Sequence, residues 1–177
     1  MSRSEPPLEW GDDSITKFLE LARENSFATF VNLPDDFKRL IDINDLFSSA
    51  IDYAKNTKNF KQLFTLFFFM KAQSAFIAAI RLAVATQVPE AFMVLRGVLE
   101  SSLYGLHIYK DPQYPKLSVI WLERHENKRI KQEIIRKFRT TNLFITLKSL
   151  NYQLAKAVRE LYEMTIDYGA HPNERSL

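Results

Sequence analysis

The chain of 177 residues contains no cysteine and only four glycines. The lack of cysteine excludes disulfides, thiolate catalysis, zinc fingers and iron–sulfur ligation by the chain. Average glycine usage would give about 12 in this length, and sandwiches, barrels and phosphate-binding α/β folds use glycine freely in their turns. The shortage of glycine therefore favours an all-α fold.

Targeting signals and the common catalytic motifs are also missing. Residues 1–7 hold neither the apolar stretch of a secretory signal nor a glycine for myristoylation. The sequence contains no Gly-x-Gly-x-x-Gly, no Walker loop, no Gly-x-Ser-x-Gly and no His-Glu-x-x-His. We therefore expect a cytoplasmic protein. None of these motifs indicates what chemistry it performs.

The composition is typical of one globular domain. Hydrophobic residues make up 46% and charged residues 25%, and 24 Lys and Arg against 21 Asp and Glu give a net charge of +3. Surface scaling allows a chain of this mass to bury about 70% of its surface. Residues 1–12 contain three acids, two prolines and a glycine and are predicted to be a flexible tail. Residues 13–177 are predicted to form a single helical domain.

Apolar residues recur at spacings of three and four along most of the chain, which is typical of amphipathic helices. We expect Asp13 or Ser14 to cap a first helix that ends near Asn25, residues 27–31 to be extended, and Pro34 to mark a turn or a new helix start. The other predicted helices cover residues 44–55, 60–86, 89–109, 116–139 and 143–168. The pattern predicts an all-α helical bundle of four long helices plus one to three short N-terminal helices.

The most apolar segment, residues 63–84, is predicted to be a buried core helix. Lys71 and Arg81 interrupt it, and the uncharged run at residues 62–70 has nine residues. A membrane-spanning helix needs roughly 20. We therefore expect no membrane association.

The last predicted helix carries apolar residues at alternating spacings of three and four. This spacing is typical of a coiled-coil seam packed against a partner helix. The seam consists of Leu143, Leu147, Leu150, Leu154, Ala157, Leu161, Met164 and Tyr168.

Four polar residues interrupt the apolar helix at 89–109. Arg96, Glu100, Tyr104 and His107 fall within an arc of about 80° on a helix of 100° per residue. Charges removed from water must be paired, and Arg96 and Glu100 have the four-residue spacing of an ion pair on one helix. The stripe predicts either a polar site, in which Arg96 binds an anion and His107 acts as acid or base, or a structural ion pair, or a face exposed to solvent.

A second polar group, consisting of Glu160, Glu163, Asp167 and His171, shares one face near the end of the chain. Carboxylates and imidazole are metal ligands. However, no glutamate has a histidine three residues later, as the di-iron bundle signature requires. We therefore interpret this face as solvated and expect no metal site and no cofactor. His171 follows the helix end, where it either points into a cleft or caps the final carbonyls.

Residues 124–139 contain seven Lys and Arg. Arg124, Lys128 and Lys131 share one face, which could meet the phosphates of a nucleic acid. Aromatic residues for stacking on single strands are not interleaved there. A solvated helix face is the favoured interpretation, with RNA kept as an alternative partner.

Two segments carry a family resemblance. Residues 92–100 (FMVLRGVLE) and 166–173 (IDYGAHPN) resemble uncharacterised bacterial all-helical proteins that pair a Leu-Arg-x-x-x-Glu helix with a later His-Pro motif. The resemblance covers mainly residues 60–173. Some of these proteins are similar to HEPN-like domains, which are all-α bundles often implicated in RNA cleavage or in toxin and defence systems.

The resemblance implies a helical bundle in which Arg96, Glu100 and His171 converge. The chain departs from the Arg-x-x-x-x-His motif of HEPN ribonucleases, because Ile166 and Ser102 stand five residues before His171 and His107. The chain ends six residues after His171. If the family pattern continues further, the chain is a fragment of a longer protein.

Two functions are compatible with these patterns. The first is a non-enzymatic interaction or assembly module that forms a homo-oligomer, or binds a protein partner, through its apolar helices. The alternative is a metal-independent enzyme acting on RNA or another phosphate ester, of the HEPN-like toxin or defence type. In that enzyme Arg96 would hold the anion, His107 or His171 would transfer protons and Glu100 would orient the arginine. Tyr104, Glu163 and Asp167 are further polar candidates.

Overall fold

The computed structural model describes residues 6–56 and 58–170, which contain eight α-helices and no strand. The prediction of an all-α helical bundle is confirmed. The helices are α1 (Ser14–Asn32), α2 (Pro34–Lys55), α3 (Phe60–Val84), α4 (Val88–Lys110), α5 (Tyr114–Leu122), α6 (Lys128–Lys137), α7 (Thr140–Leu150) and α8 (Tyr152–Thr165), followed by a π-helical turn at Ile166–Ala170.

The centre of the fold is the pair formed by α3 and α4, which share the most extensive helix–helix contact among the described residues. One apolar core lies on the C-terminal side of this pair, where α5, α6, α7 and α8 pack. Its buried residues include Phe64, Phe68, Leu103, Ile108 and Phe144. A smaller cluster of Ala72, Phe76 and Val98 joins the pair to Leu40 and Phe47 of α2.

Short polar residues and prolines set where several helices begin. The Asp13 carboxylate accepts hydrogen bonds from the backbone N–H groups of Ile15 and Thr16 at 2.7 and 3.0 Å, which satisfies donors at the start of α1. Proline occupies the first or second position of α2, α4 and α5, where a missing N–H costs nothing.

The two N-terminal helices are longer than the sequence predicts. Residues 27–31 are helical rather than extended, and α2 is already helical from Pro34, so no new helix starts at Asn44. The Phe30 ring contacts the Phe37 ring at 4.8 Å between centroids, where α1 meets α2. The four longest helices are therefore α1 to α4.

The single helix predicted over residues 116–139 is wrong, because the chain breaks between α5 and α6. The Arg124 guanidinium donates a hydrogen bond to the Trp121 carbonyl at 2.8 Å, at the end of α5. The Asn127 side chain then accepts from the Ile130 N–H at 2.9 Å and caps a new helix.

The predicted leucine seam is confirmed at Leu143 and Leu147 of α7 and is wrong from Leu150 onward. Leu143 and Leu147 are buried, but the Asn151 side chain accepts from the Leu154 N–H at 2.9 Å and starts a separate helix. This break resets the helical phase. The buried residues of α8 are Ala155, Tyr162 and Thr165, whereas the seam residues Leu150, Leu154, Ala157 and Met164 are exposed.

Residues Leu63–Val84 of α3 are long and apolar enough to cross a membrane by length and composition, and 39% of their most apolar window is buried inside the fold. In the described part of the chain, α3 packs against α1, α2, α4 and α5. These contacts are those of the central helix of a bundle.

Candidate functional site

Arg96 and Glu100 of α4 form a closed polar cluster with Tyr162 of α8. The Arg96 Nε donates to Glu100 Oε1 at 2.8 Å, and a second guanidinium nitrogen donates to the Tyr162 hydroxyl at 3.1 Å. The Tyr162 hydroxyl in turn donates to Glu100 Oε1 at 3.1 Å. The predicted pairing of Arg96 with Glu100 is confirmed, and the third member of the cluster comes from a helix 62 residues further along.

The cluster is half open to solvent on one side and buried on the other. The Arg96 and Glu100 side chains are 35% and 37% exposed, whereas Tyr162 is 5% exposed. The hydrogen bond that Arg96 donates to Glu100 raises the pKa of Arg96 above its usual range. The cluster therefore holds a fixed ion pair and joins α4 to α8 at a defined register.

Tyr104 lies one helical turn after Glu100 on α4, and its described contacts are made by its ring. The ring contacts Phe138 at 5.0 Å and Phe68 at 6.4 Å between centroids. Burial raises the pKa of the Tyr104 hydroxyl, with a further contribution from the Glu100 charge. Tyr104 is therefore a neutral hydroxyl at ordinary pH and not a base.

His107 occupies a different environment from Arg96. Its Nδ1 lies 2.8 Å from Thr146 Oγ1 and its ring packs edge-on against Phe138 at 5.5 Å. Eleven residues at 1.5 Å each separate it from Arg96 by about 16 Å along α4. Burial lowers the pKa of His107 below its ordinary value. The structure does not place His107 where it could share a ligand with Arg96.

We expect His107 to make the fold less stable in mild acid. Its pKa is about 6.5 in the unfolded chain and lower in the fold, so the unfolded chain binds the proton first. The free energy of unfolding therefore falls as the pH drops through 6.5 and stops falling below the folded pKa. Urea unfolding at a series of pH values measures this dependence. His107→Gln should reduce this dependence of the unfolding free energy on pH. As a control, replacing the exposed His125 by glutamine should leave the dependence unchanged. The same pH dependence in both variants would contradict the assignment to His107.

The acidic group near the end of the chain is dispersed over the surface of α8. Glu160 lies 3.9 Å from Lys156, and both side chains are two-thirds exposed. Glu163 is exposed, and Asp167 is half-buried in the π-helical turn. In the part of the chain that the structure describes, no three His, Asp or Glu residues are grouped to hold a metal ion. His171 lies outside the described residues, so its predicted convergence with Arg96 and Glu100 stays a prediction.

The basic residues of 124–139 do not form one face. Arg124 lies 3.6 Å over the Trp121 ring at the end of α5, whereas Lys128 and Lys131 are exposed on α6. The cations that do come together belong to α7 and α8. Lys148, Lys156 and Arg159 line a groove of about 320 Å³ between these helices.

An aromatic groove opens beside the polar cluster, between α3, α4 and α5. It has a volume of about 460 Å³. Glu100 contributes to both the cluster and this groove. The groove is lined by Phe64, Phe67, Phe68, Lys71, Gly97, Glu100, Ser101, Tyr104, Trp121 and Leu122.

The π-helical turn fits closely against the start of α4. A Cβ added to Gly169 would lie 2.7 Å from the Met93 backbone nitrogen and 2.9 Å from the Pro89 carbonyl oxygen. The neighbouring Tyr168 ring stacks on Phe92 at 5.4 Å. The glycine in the IDYGAHPN segment therefore has a packing role that the sequence does not reveal.

The N-terminal helices expose most of their apolar side chains. No residue of α1 is buried, and Ile51 is the buried residue of α2. We call the exposed apolar residues of this region the N-terminal apolar surface. It consists of Ile15, Phe18, Leu19, Leu21, Phe27, Phe30, Val31, Leu33, Ile41, Ile43, Leu46 and Tyr53.

The fold and these sites define an all-α helical bundle with a tethering ion-pair cluster, an aromatic groove and an exposed apolar surface. The chain matches no protein-family model, no curated protein and no solved structure.

Proposed function

We propose that the protein is a non-enzymatic assembly module that forms a homodimer through the N-terminal apolar surface. The observation that carries this proposal is the exposure of the N-terminal apolar surface, whose twelve large apolar side chains are each more than 40% exposed. Soluble monomers rarely expose apolar patches larger than a few hundred Å², and larger patches mark sites of protein–protein interaction.

The length and exposure of α1 also support the proposal. An isolated helix of this size is marginal in water, and most helices in proteins are stabilised by the apolar face that they bury. None of the 19 residues of α1 is fully buried in the monomer. A second copy that covers this helix would supply the missing burial.

A second copy is the occupant that fits the extent of the surface. In a two-fold dimer both partners use the same patch, so the N-terminal apolar surface of one copy would meet the N-terminal apolar surface of the other. Such interfaces are more apolar than the rest of the protein surface. The twelve large apolar residues of the N-terminal apolar surface match this composition.

The test is the mass of the particle in solution. Light scattering after size exclusion, over a concentration series, should give twice the 20.7 kDa chain mass for the wild-type chain. The variant Val31→Glu/Leu46→Glu should be monomeric over the same range, because burying charges at an apolar interface weakens dimerisation by about 100-fold or more. Val31 and Leu46 are 72% and 71% exposed, so the monomer itself should fold normally by circular dichroism.

Ile135→Glu is the matched control, because Ile135 is 58% exposed on α6, outside the N-terminal apolar surface. This control should remain a dimer. A monomeric wild-type chain, or a dimer that Ile135→Glu breaks and Val31→Glu/Leu46→Glu does not, would refute the proposal. Absorbance at the nucleic-acid maximum across the same peak reports on the RNA alternative.

The enzymatic alternative requires a proton-transfer group beside Arg96. The groups that contact Arg96 in the described residues are Glu100 and Tyr162, and His107 lies elsewhere on α4. The alternative therefore depends on His171 and stays a prediction.

A further inference from the structure

We propose that the aromatic groove beside Glu100 binds a small aromatic zwitterion, with the chemistry of a free aromatic amino acid. This binding site would act independently of dimerisation, because its lining residues do not belong to the N-terminal apolar surface. Binding pockets for small molecules are typically apolar clefts of about 300–1,000 Å³ with a few convergent polar groups. The groove, at about 460 Å³, meets this description.

The walls of the groove select an aromatic group. The Phe68 ring lies 5.0 Å from Trp121 and 6.4 Å from Tyr104, all in edge-to-face geometry. On α4, Gly97 leaves space, because a Cβ added there would have no atom within 4 Å. A flat ring can therefore enter between α3 and α4 and contact the aromatic residues of the walls.

One carboxylate oxygen of Glu100 is available to a ligand. The other oxygen, Oε1, accepts both the Arg96 and the Tyr162 hydrogen bonds, and these two donors fix the orientation of the carboxylate. Oε2 accepts none from a described residue. An ammonium group of the ligand is the natural partner for this oxygen, because charge-assisted hydrogen bonds are the stronger ones.

Lys71 provides the opposite charge on the α3 side of the groove. No carboxylate lies within 4.0 Å of its ammonium group in the described part of the chain. Lys71 on α3 and Glu100 on α4 therefore line the same groove without forming an ion pair with each other. A ligand that carries both an ammonium and a carboxylate can satisfy both.

Ser101 supplies a further polar group to the groove. The residue is only 6% exposed, it lines the groove, and its hydroxyl makes no hydrogen bond with the described residues. A hydroxyl in a helix commonly bonds to a carbonyl of the preceding turn, as Ser26 does with Ala22 at 2.8 Å. No buried side-chain oxygen or nitrogen among the described residues lacks a hydrogen-bond partner, so the Ser101 hydroxyl is reached from the open space of the groove, where it can bond to the polar end of the ligand.

The experiment uses the full chain carrying Trp10→Phe, which leaves Trp121 as the single tryptophan and its fluorescence as the reporter. The probes are L-phenylalanine, phenethylamine, which lacks the carboxylate, and 3-phenylpropanoate, which lacks the ammonium group. Phenylalanine should give a saturable change with a Kd on the order of 0.1–1 mM, as expected for a ligand of this size. Each singly charged probe should bind at least about tenfold more weakly.

Two substitutions should have opposite selectivity. Lys71→Gln should weaken phenylalanine about tenfold and leave phenethylamine unchanged, whereas Glu100→Gln should weaken phenylalanine and leave 3-phenylpropanoate unchanged. Lys71 is exposed, so Lys71→Gln should fold normally. It therefore tests the proposal even if Glu100→Gln fails to fold. Lys17→Gln on α1 is the control and should have no effect.

Three outcomes would overturn the proposal. The first is the absence of a saturable change with phenylalanine. The second is equal binding of all three probes, which would indicate an apolar groove without charge recognition. The third is the same loss for every probe in Lys71→Gln and Lys17→Gln. Because the dimer-breaking variant Val31→Glu/Leu46→Glu should bind phenylalanine as the wild-type chain does, failure of this proposal is distinguishable from failure of the proposed dimer.

Discussion

Replacing Tyr162 by alanine is expected to lower the free energy of unfolding by about 4 kcal/mol, in the range measured for truncating buried aromatic residues. Tyr162 is 5% exposed, its ring packs edge-on against Phe144 at 5.9 Å, and the Arg96 guanidinium lies 5.3 Å from its centroid. Alanine would leave a cavity between α4 and α8 and remove both hydrogen bonds of the hydroxyl. In a domain of this size the melting temperature should fall by about 12 °C.

Two further variants separate the ring from the hydroxyl. Tyr162→Phe keeps the packing and loses the hydrogen bonds to two partly exposed partners, so we expect a loss of about 1 kcal/mol. Tyr152→Ala, an exposed tyrosine at the start of α8, should change stability by less than about 0.5 kcal/mol. Urea unfolding at one fixed protein concentration compares these variants, because a dimer shifts the apparent stability. A Tyr162→Ala loss no larger than that of Tyr162→Phe would show that the ring contributes nothing to the α4–α8 contact.

Gly169→Ala is expected to destabilise the fold by about 3 kcal/mol, at the upper end of the usual cost of overpacking. The added Cβ would stand 2.7 Å from the Met93 nitrogen, 2.9 Å from the Pro89 oxygen and 2.9 Å from the Phe92 Cβ. Two of these atoms belong to the backbone of α4 and cannot rotate away. The π-helical turn would have to move off α4, and the stacking of Tyr168 on Phe92 would be lost with it.

The opposite result is expected at Gly97. A Cβ there meets nothing within 4 Å, and glycine inside a helix costs roughly 0.5–1 kcal/mol relative to alanine. Gly97→Ala should therefore stabilise the chain slightly in the same urea unfolding experiment. Gly169→Ala and Gly97→Ala with equal stabilities would contradict the close approach of the turn to α4.

The sequence predicts α3 and α4 almost to their ends, because both depend on local signals. The predicted spans of 60–86 and 89–109 compare with Phe60–Val84 and Val88–Lys110. Pro89 sets the start of α4, and no glycine or proline interrupts α3. Local spacing also sufficed for the ion pair of Arg96 with Glu100, which stand one helical turn apart.

The features that the sequence did not predict depend on contacts between distant segments. Tyr162 could not be placed beside Arg96, because the prediction continued the phase of α7 through Asn151, and this put Leu161 rather than Tyr162 on the buried face. Residues 27–31 are likewise helical although their types favour strands, and the contact of Phe30 with Phe37 of α2 joins this end of α1 to the next helix. Periodicity reports which residues share a face, but a single polar cap changes which face is buried.

The hydrogen bond between Arg96 and Tyr162 joins residues 66 positions apart, and this separation affects the order of folding. The α3–α4 hairpin forms by closing a short turn, whereas the Arg96 cluster requires α5, α6 and α7 to be gathered between its ends. The entropy lost on closing a chain segment grows with its length, and contacts of high sequence separation slow folding. We therefore expect the cluster to form late in folding, so that its hydrogen bonds mainly slow the unfolding of α8 from the assembled bundle.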